Sequence, residues 1–235
     1  PPWRLELARA LFEIGDLERC DEVLAKLPAE YSEAAYLRLR LAVARGQSTA
    51  GEAFLARMGP QRGVEAVALA YLASGEPGKC IEFCRGNLTP EADSARLRWL
   101  LGQAHLRRGE LQECVTAWTR ALALAPTRFS LYRSVAEAMV ASGKSVEAIR
   151  GVLAGVEHAR EDLVELACGW ALEQRGRVDD AIQSYRRIAS RAGIDPETRR
   201  RARRALAGAL VRAGQTDDAL AELDRLMSDA VVSTT

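Results

Sequence analysis

Residues 105–122 read HLRRGELQECVTAWTRAL, and three later stretches repeat its design: VASGKSVEAIRGVL at 140–153, EQRGRVDDAIQSYRRI at 173–188 and VRAGQTDDALAEL at 211–223. In each, a helical run stops at a glycine, a few polar residues follow, and a second helical run begins. A glycine just past a helix supplies the left-handed residue that closes it. Acidic residues soon after it suit the positive end of the next helix. The pattern predicts helix, tight turn, helix. Working outward, such glycines recur at Gly15, Gly46, Gly75, Gly109, Gly143, Gly176 and Gly214, at intervals of 31, 29, 34, 34, 33 and 38. Self-similarity at this spacing marks a repeat architecture, in which each unit buries its apolar face against its neighbours.

Composition agrees. Of 235 residues, 48% are apolar, 28% charged and 6% aromatic. The chain has 41 Ala, 30 Leu, 30 Arg and 3 Lys. These are mostly strong helix formers, whereas the residues that strands favour are sparse. A sandwich or barrel is therefore excluded. With 18 Gly, 8 Pro and a high apolar fraction, so are collagen-like and disordered chains. No uncharged apolar stretch is long enough to span a bilayer, so no membrane insertion is expected. A net charge of +1 gives no global attraction to nucleic acid or anionic lipid. The excess of Arg over Lys, with abundant Ala, matches the habit of GC-rich bacterial genomes.

The glycine-centred units resemble the tetratricopeptide repeat (TPR) over the whole chain. The resemblance implies an all-α fold, an α-solenoid of antiparallel helix pairs wound into a right-handed superhelix. It divides the chain into seven repeats, approximately 1–31, 32–60, 61–94, 95–128, 129–161, 162–199 and 200–235. Two antiparallel helices need small residues where their backbones come closest. In the first helices this slot falls on Ala8, Leu39, Ala68, Gly102, Ala136, Gly169 and Ala207. In the second helices it falls on Cys20, Gly51, Cys80, Cys114, Ala148, Ala181 and Ala219. The bulky slot beside it falls on Leu24, Leu55, Cys84, Trp118, Val152, Tyr185 and Leu223. The repeat beginning at Ala95 matches best, with Trp99, Gly102, Ala121 and Pro126 in their family places. The second repeat departs most, with Leu39 in a small slot and GQSTAGEAF at the turn. The sixth carries the insertion RAGIDPETRR, so its second helix is expected to end near Gly193 and the next to start near Pro196.

The alignment assigns the five cysteines, Cys20, Cys80, Cys84, Cys114 and Cys168, to core slots. Their odd number and spacing match no disulfide or zinc framework, and free core thiols suit a reducing compartment. His105 falls in a packing slot and His158 near the end of a second helix. Gly143-Lys144-Ser145 is an inter-helix turn without the preceding strand and glycine that a phosphate loop needs. Asp179-Asp180 and Asp217-Asp218 read as first-turn acids. With two histidines accounted for and no nucleophile, metal or cofactor motif, the chain reads as no enzyme, with no cofactor and no metal.

In the family the first helices line a concave groove that takes peptide segments. Carried over residue by residue, the groove set comprises Leu5, Phe12, Tyr36, Arg40, Leu69 and Leu72 in the first three repeats. Trp99, Gln103 and Leu106 follow in the fourth, then Arg133, Glu137, Trp170 and Glu173, and finally Arg201 and Arg204. The expected function is a non-catalytic protein–protein interaction scaffold or adaptor. Its partner is another protein or peptide segment, apolar or amphipathic, with an acidic end as one option because PETRRRARR at 196–204 is rich in Arg. The alternative is a helper or regulatory module of a larger enzyme, transferase or transcription regulator. For Trp99 and Trp170, contact with neighbouring repeats competes with ligand binding, and for the Arg run a solvated face does. Self-association is a further expectation, and nucleic acid is disfavoured. The Lys and Asn clamp that some family members close on chaperone tails is absent. The chain begins Pro1-Pro2-Trp3 without Met, which reads as a trimmed or processed product. A cytoplasmic location is expected, or a periplasmic one if a leader was removed.

Overall fold

The structure is a computed structural model that describes residues 2–28, 31–46, 60–90 and 93–232. Among them are helices, turns and no strand. They fall into two compact units, Pro1–Glu110 and Leu111–Thr235.

The first unit contains α1 (Pro2–Glu13), α2 (Leu17–Ala25), α3 (Ser32–Ala44), α4 (Pro60–Ala73), α5 (Pro77–Asn87) and α6 (Ala95–Arg107). The pairs α1/α2 and α4/α5 pack side by side, while α1, α3, α4 and α6 touch in succession as one layer. The second helix expected for repeat two, with Gly51, Leu55 and the GQSTAGEAF turn, lies outside the described residues beyond Gly46. Two cores are distinct here. Leu5, Ala8, Cys20, Leu24 and Leu37 form one, and Leu39, Val43, Val67 and Ala70 form the other.

The second unit contains α7 (Leu111–Leu124), α8 (Phe129–Ala141), α9 (Val146–Ala154), α10 (Glu161–Gln174), α11 (Val178–Ser190), α12 (Pro196–Arg212) and α13 (Thr216–Val232). Here α8, α10 and α12 touch in succession, each also packed on its own second helix α9, α11 or α13. One layer is thus made of first helices and the other of second helices.

The turns follow from the glycines. Gly176 has φ +74°, a region that a side chain rarely enters. Its N–H donates to the Glu173 carbonyl (2.9 Å) and the Arg177 N–H to the Leu172 carbonyl (3.0 Å), which satisfies the last carbonyls of α10. Gly109 ends α6 in the same way. The helix starts are capped in turn. The Asp16, Ser94, Ser145 and Asp195 side chains accept from the N–H three residues on.

Small-slot packing is plainest at Gly169 on α10. A Cβ there would stand 2.4 Å from Tyr185 Cε1 on α11, so only glycine lets this ring lie against the helix. Repeat five departs from the expected register. Ala148 is exposed and Val152 is 36% exposed, whereas Ile149 and Leu153 are fully buried. Lys144 and the cap Ser145 both precede α9, so the helix begins one residue later relative to its glycine than α7 does, and every core slot moves by one. The insertion in repeat six ends α11 at Ser190, three residues before Gly193, and α12 starts at Pro196 as expected.

All five cysteines are free and buried. His105 is 3% exposed, and its Nδ1 lies 2.6 Å from Glu110 Oε2. His158 is not part of a second helix. It lies beyond the end of α9 with φ +58° and is exposed.

Candidate functional site

The second unit holds a cavity of about 590 Å³ on its layer of first helices. Three helices contribute in order. Phe129 and Arg133 come from α8, Leu166, Trp170, Glu173 and Gln174 from α10, and Arg201, Arg204 and Arg212 from α12. These positions are one or two turns apart on each helix, so each element presents one face to the same hollow. Tyr185 reaches in from α11, past Gly169.

The floor is polar and fully satisfied. The Tyr185 hydroxyl donates to Glu173 Oε1 at 2.6 Å, and Arg212 donates to Glu173 Oε2. The Glu173 side chain is only 7% exposed, so its charge is held by these two partners rather than by water. Burial pushes the Tyr185 phenol well above its ordinary range, so it remains a donor at neutral pH.

Aromatic rings and guanidiniums form the walls. Arg133 lies 5.3 Å from the Trp170 ring centre and donates to Glu137 at 2.9 Å. Arg201 lies 5.6 Å from the Phe129 ring centre and 3.0 Å from Glu197. A guanidinium over a ring face is attracted by its quadrupole. Glu197 also accepts from Arg200 at 2.7 Å, and that bond, with Arg201 and Arg204 nearby, holds its carboxyl below the usual range. Arg204 makes no hydrogen bond or ion pair among the described residues.

The structure therefore gathers Arg133, Trp170, Glu173, Arg201 and Arg204 from the expected groove set into one cavity, with Glu137 at its rim as the partner of Arg133. The Arg run is not a uniform solvated face. Arg200 and Arg201 are opposed by Glu197, one turn before them, and Arg199 donates to the Arg191 carbonyl. Sequence reasoning missed Phe129 and Tyr185. The carry-over placed Tyr185 in a core slot of a second helix, where it indeed packs, but its hydroxyl extends through to the cavity.

The remaining expected residues lie in the first unit. Leu5 and Leu72 are a correction, since they are 2% and 3% exposed and offer no surface to a partner. Leu5 belongs to the core of Ala8, Cys20, Leu24 and Leu37, and burying an apolar side chain is worth more than exposing it. Phe12 is half-buried beneath Arg40, 4.4 Å from the ring centre, and Arg40 lies 3.4 Å from Glu13. Tyr36 packs on the Leu39–Val43 core. Leu69 and Gln103 are half-buried and Leu106 is exposed. Trp99 is half-buried with Arg96 4.7 Å from its ring centre.

Helix pairs closed by left-handed glycines, with first helices in one layer and second helices in another, define an α-solenoid repeat protein. Residues 95–128 match the family model of the tetratricopeptide repeat. The chain thus carries a match to this repeat over one of its helix pairs, and repeats of this family serve in general as modules for protein–protein interaction. The comparison with curated proteins finds no match. Among solved structures, MamA of strain AMB-1 is 19% identical with a TM-score of 0.38, covering 72% of this chain and 90% of that one. Nearly identical TPR-like repeats from Podosopora anserina, described as kinesin light chain, are 18% identical with a TM-score of 0.46, covering 74% and 95%. A double mutant of MamA from RS-1 is 16% identical with a TM-score of 0.41, covering 75% and 98%. These likenesses concern the fold alone. No helix among the described residues is long and apolar enough to cross a membrane.

Proposed function

We propose that this chain is an interaction scaffold that seats a partner's peptide segment in the cavity on α8, α10 and α12. One observation supports the reading most: three consecutive first helices turn Phe129, Trp170 and four arginines toward the same hollow, whose floor is already satisfied by Tyr185 and Arg212. A preformed pocket with aromatic walls and a few placed charges suits a partner side chain better than a flat surface does. Aromatic and Arg residues are also the usual energetic anchors of interfaces.

The test is to pan a displayed random peptide library against the full chain and measure the enriched peptides by titration. Trp170→Ala should weaken them by about 2 kcal/mol or more, the cost of removing an anchor. Undiminished binding to that variant would place the contact surface elsewhere.

A further inference from the structure

Charge compensation around the cavity narrows the chemistry of its occupant. This step rests on the reading above and deepens it. Four arginines line the hollow, but three already face a carboxylate of the same chain. Arg212 is held by Glu173, Arg133 by Glu137 and Arg201 by Glu197. Arg204 lies near Glu197 but makes no hydrogen bond or ion pair with it or any other carboxylate among the described residues, and it is exposed. The site therefore carries one unanswered cation beside an apolar wall, not the multiple free cations that a phosphate cluster or a nucleic-acid backbone draws on.

We infer that the cavity selects a partner segment carrying a single Asp or Glu next to an apolar residue. The carboxylate is seated on Arg204 and the apolar side chain against Trp170 and Phe129. A guanidinium offers parallel donors in a fork that fits one carboxylate in two-point contact. A phosphate dianion would bring a second charge toward Glu173, already paired with Arg212, and toward Glu197, whose carboxyl its arginine partners hold below the usual range. The acids already present disfavour phosphate, and recognition falls on one residue of the Arg run.

The experiment uses the panned peptides as probes. Enriched sequences should share one acidic residue adjacent to an apolar one. Its replacement by Gln should weaken binding about tenfold, as should Arg204→Gln in the protein, since a charge-assisted hydrogen bond is lost in either case. The two changes together should weaken it little more than either alone, because each removes the same contact. Arg204 is exposed and unpaired, so the variant should keep the thermal unfolding curve of the parent chain. Binding that is unaffected by Arg204→Gln but lost in Trp170→Ala would overturn the carboxylate inference and leave the scaffold reading standing. Peptides with phosphoserine in place of the acid that bind tighter through Arg204 would overturn it in favour of a phosphate reader. Enrichment of no sequence at all would overturn both.

Discussion

Gly169 and Tyr185 tie core packing to the cavity. The glycine leaves room for the ring, and the ring's hydroxyl reaches Glu173 on the next turn of the same helix. Adding one methyl at 169 sets a Cβ 2.4 Å from the ring, and the aromatic side chain has to move as a plate. Gly169→Ala should therefore destabilise the chain by about 1–3 kcal/mol, the usual cost of overpacking, as read from urea unfolding. An unfolding midpoint equal to that of the parent would mean that the ring yields freely and that the close approach is not selective. Residues like this one were half legible in the sequence. The alignment placed Gly169 in a small slot and Tyr185 in a bulky one, which predicts their contact. The hydrogen bond from Tyr185 to Glu173 was not legible, because it joins the tip of a core residue to a groove residue twelve positions away, and no spacing rule covers that pair. The opposition of Glu197 to Arg200 and Arg201 was in plain view as a three- and four-residue helical spacing, and the abundance of arginine hid it.

Among the elements, α12 shows how a helix start is fixed. Asp195 accepts from the Thr198 N–H at 2.9 Å and from Arg160 at 2.5 Å, and Arg160 also binds Asp162 at the start of α10. Burial alone raises the Asp195 carboxyl, but the bonds from Thr198 and Arg160 outweigh it and hold the group well below the ordinary carboxylate range. An acid whose folded value is depressed adds stability above its unfolded value and loses it as pH falls through the folded one. Asp195→Ala should lower stability at neutral pH by about 1 kcal/mol, the typical worth of a cap. The gap between parent and variant melting temperatures should close in strong acid. A gap that stays constant from neutral to strongly acidic pH would rule out the ionised cap. Element boundaries were otherwise well marked by Gly and by capping residues. The miss in repeat five has a local cause: Ser145 outcompetes Lys144 as a cap, α9 starts one residue late, and Ile149 rather than Ala148 becomes the buried residue.

For the molecule as a whole, the two compact units can be followed separately by their thiols. Cys20, Cys80 and Cys84 lie in one unit and Cys114 and Cys168 in the other, all buried. Burial pushes the Cys114 thiol up to about 12 and Cys168 to about 11, so little thiolate exists near neutral pH. A thiol reagent should label the native chain only as fast as each unit opens. Rapid native labelling at the rate of the urea-unfolded chain would show that these residues are not core. The helix–turn–helix units were legible from the glycine spacing, whereas the layer of first helices was expected only through the family resemblance. The burial of Leu5 and Leu72 was not, because a family groove position says which helix faces the hollow but not how deeply each neighbour covers it.

One contact also bears on how such a chain is born. Arg38 of α3 donates to the Leu24 carbonyl at 2.6 Å and the Leu27 carbonyl at 2.8 Å, at the far end of α2. During synthesis, which runs from the N-terminal side, the α1/α2 hairpin leaves the ribosome before Arg38 is there to meet those carbonyls. It is completed when residue 38 follows, fourteen positions after Leu24. The segment that ripens as a unit is thus longer than the repeat drawn from its glycines, and this hairpin matures one step behind the growing chain.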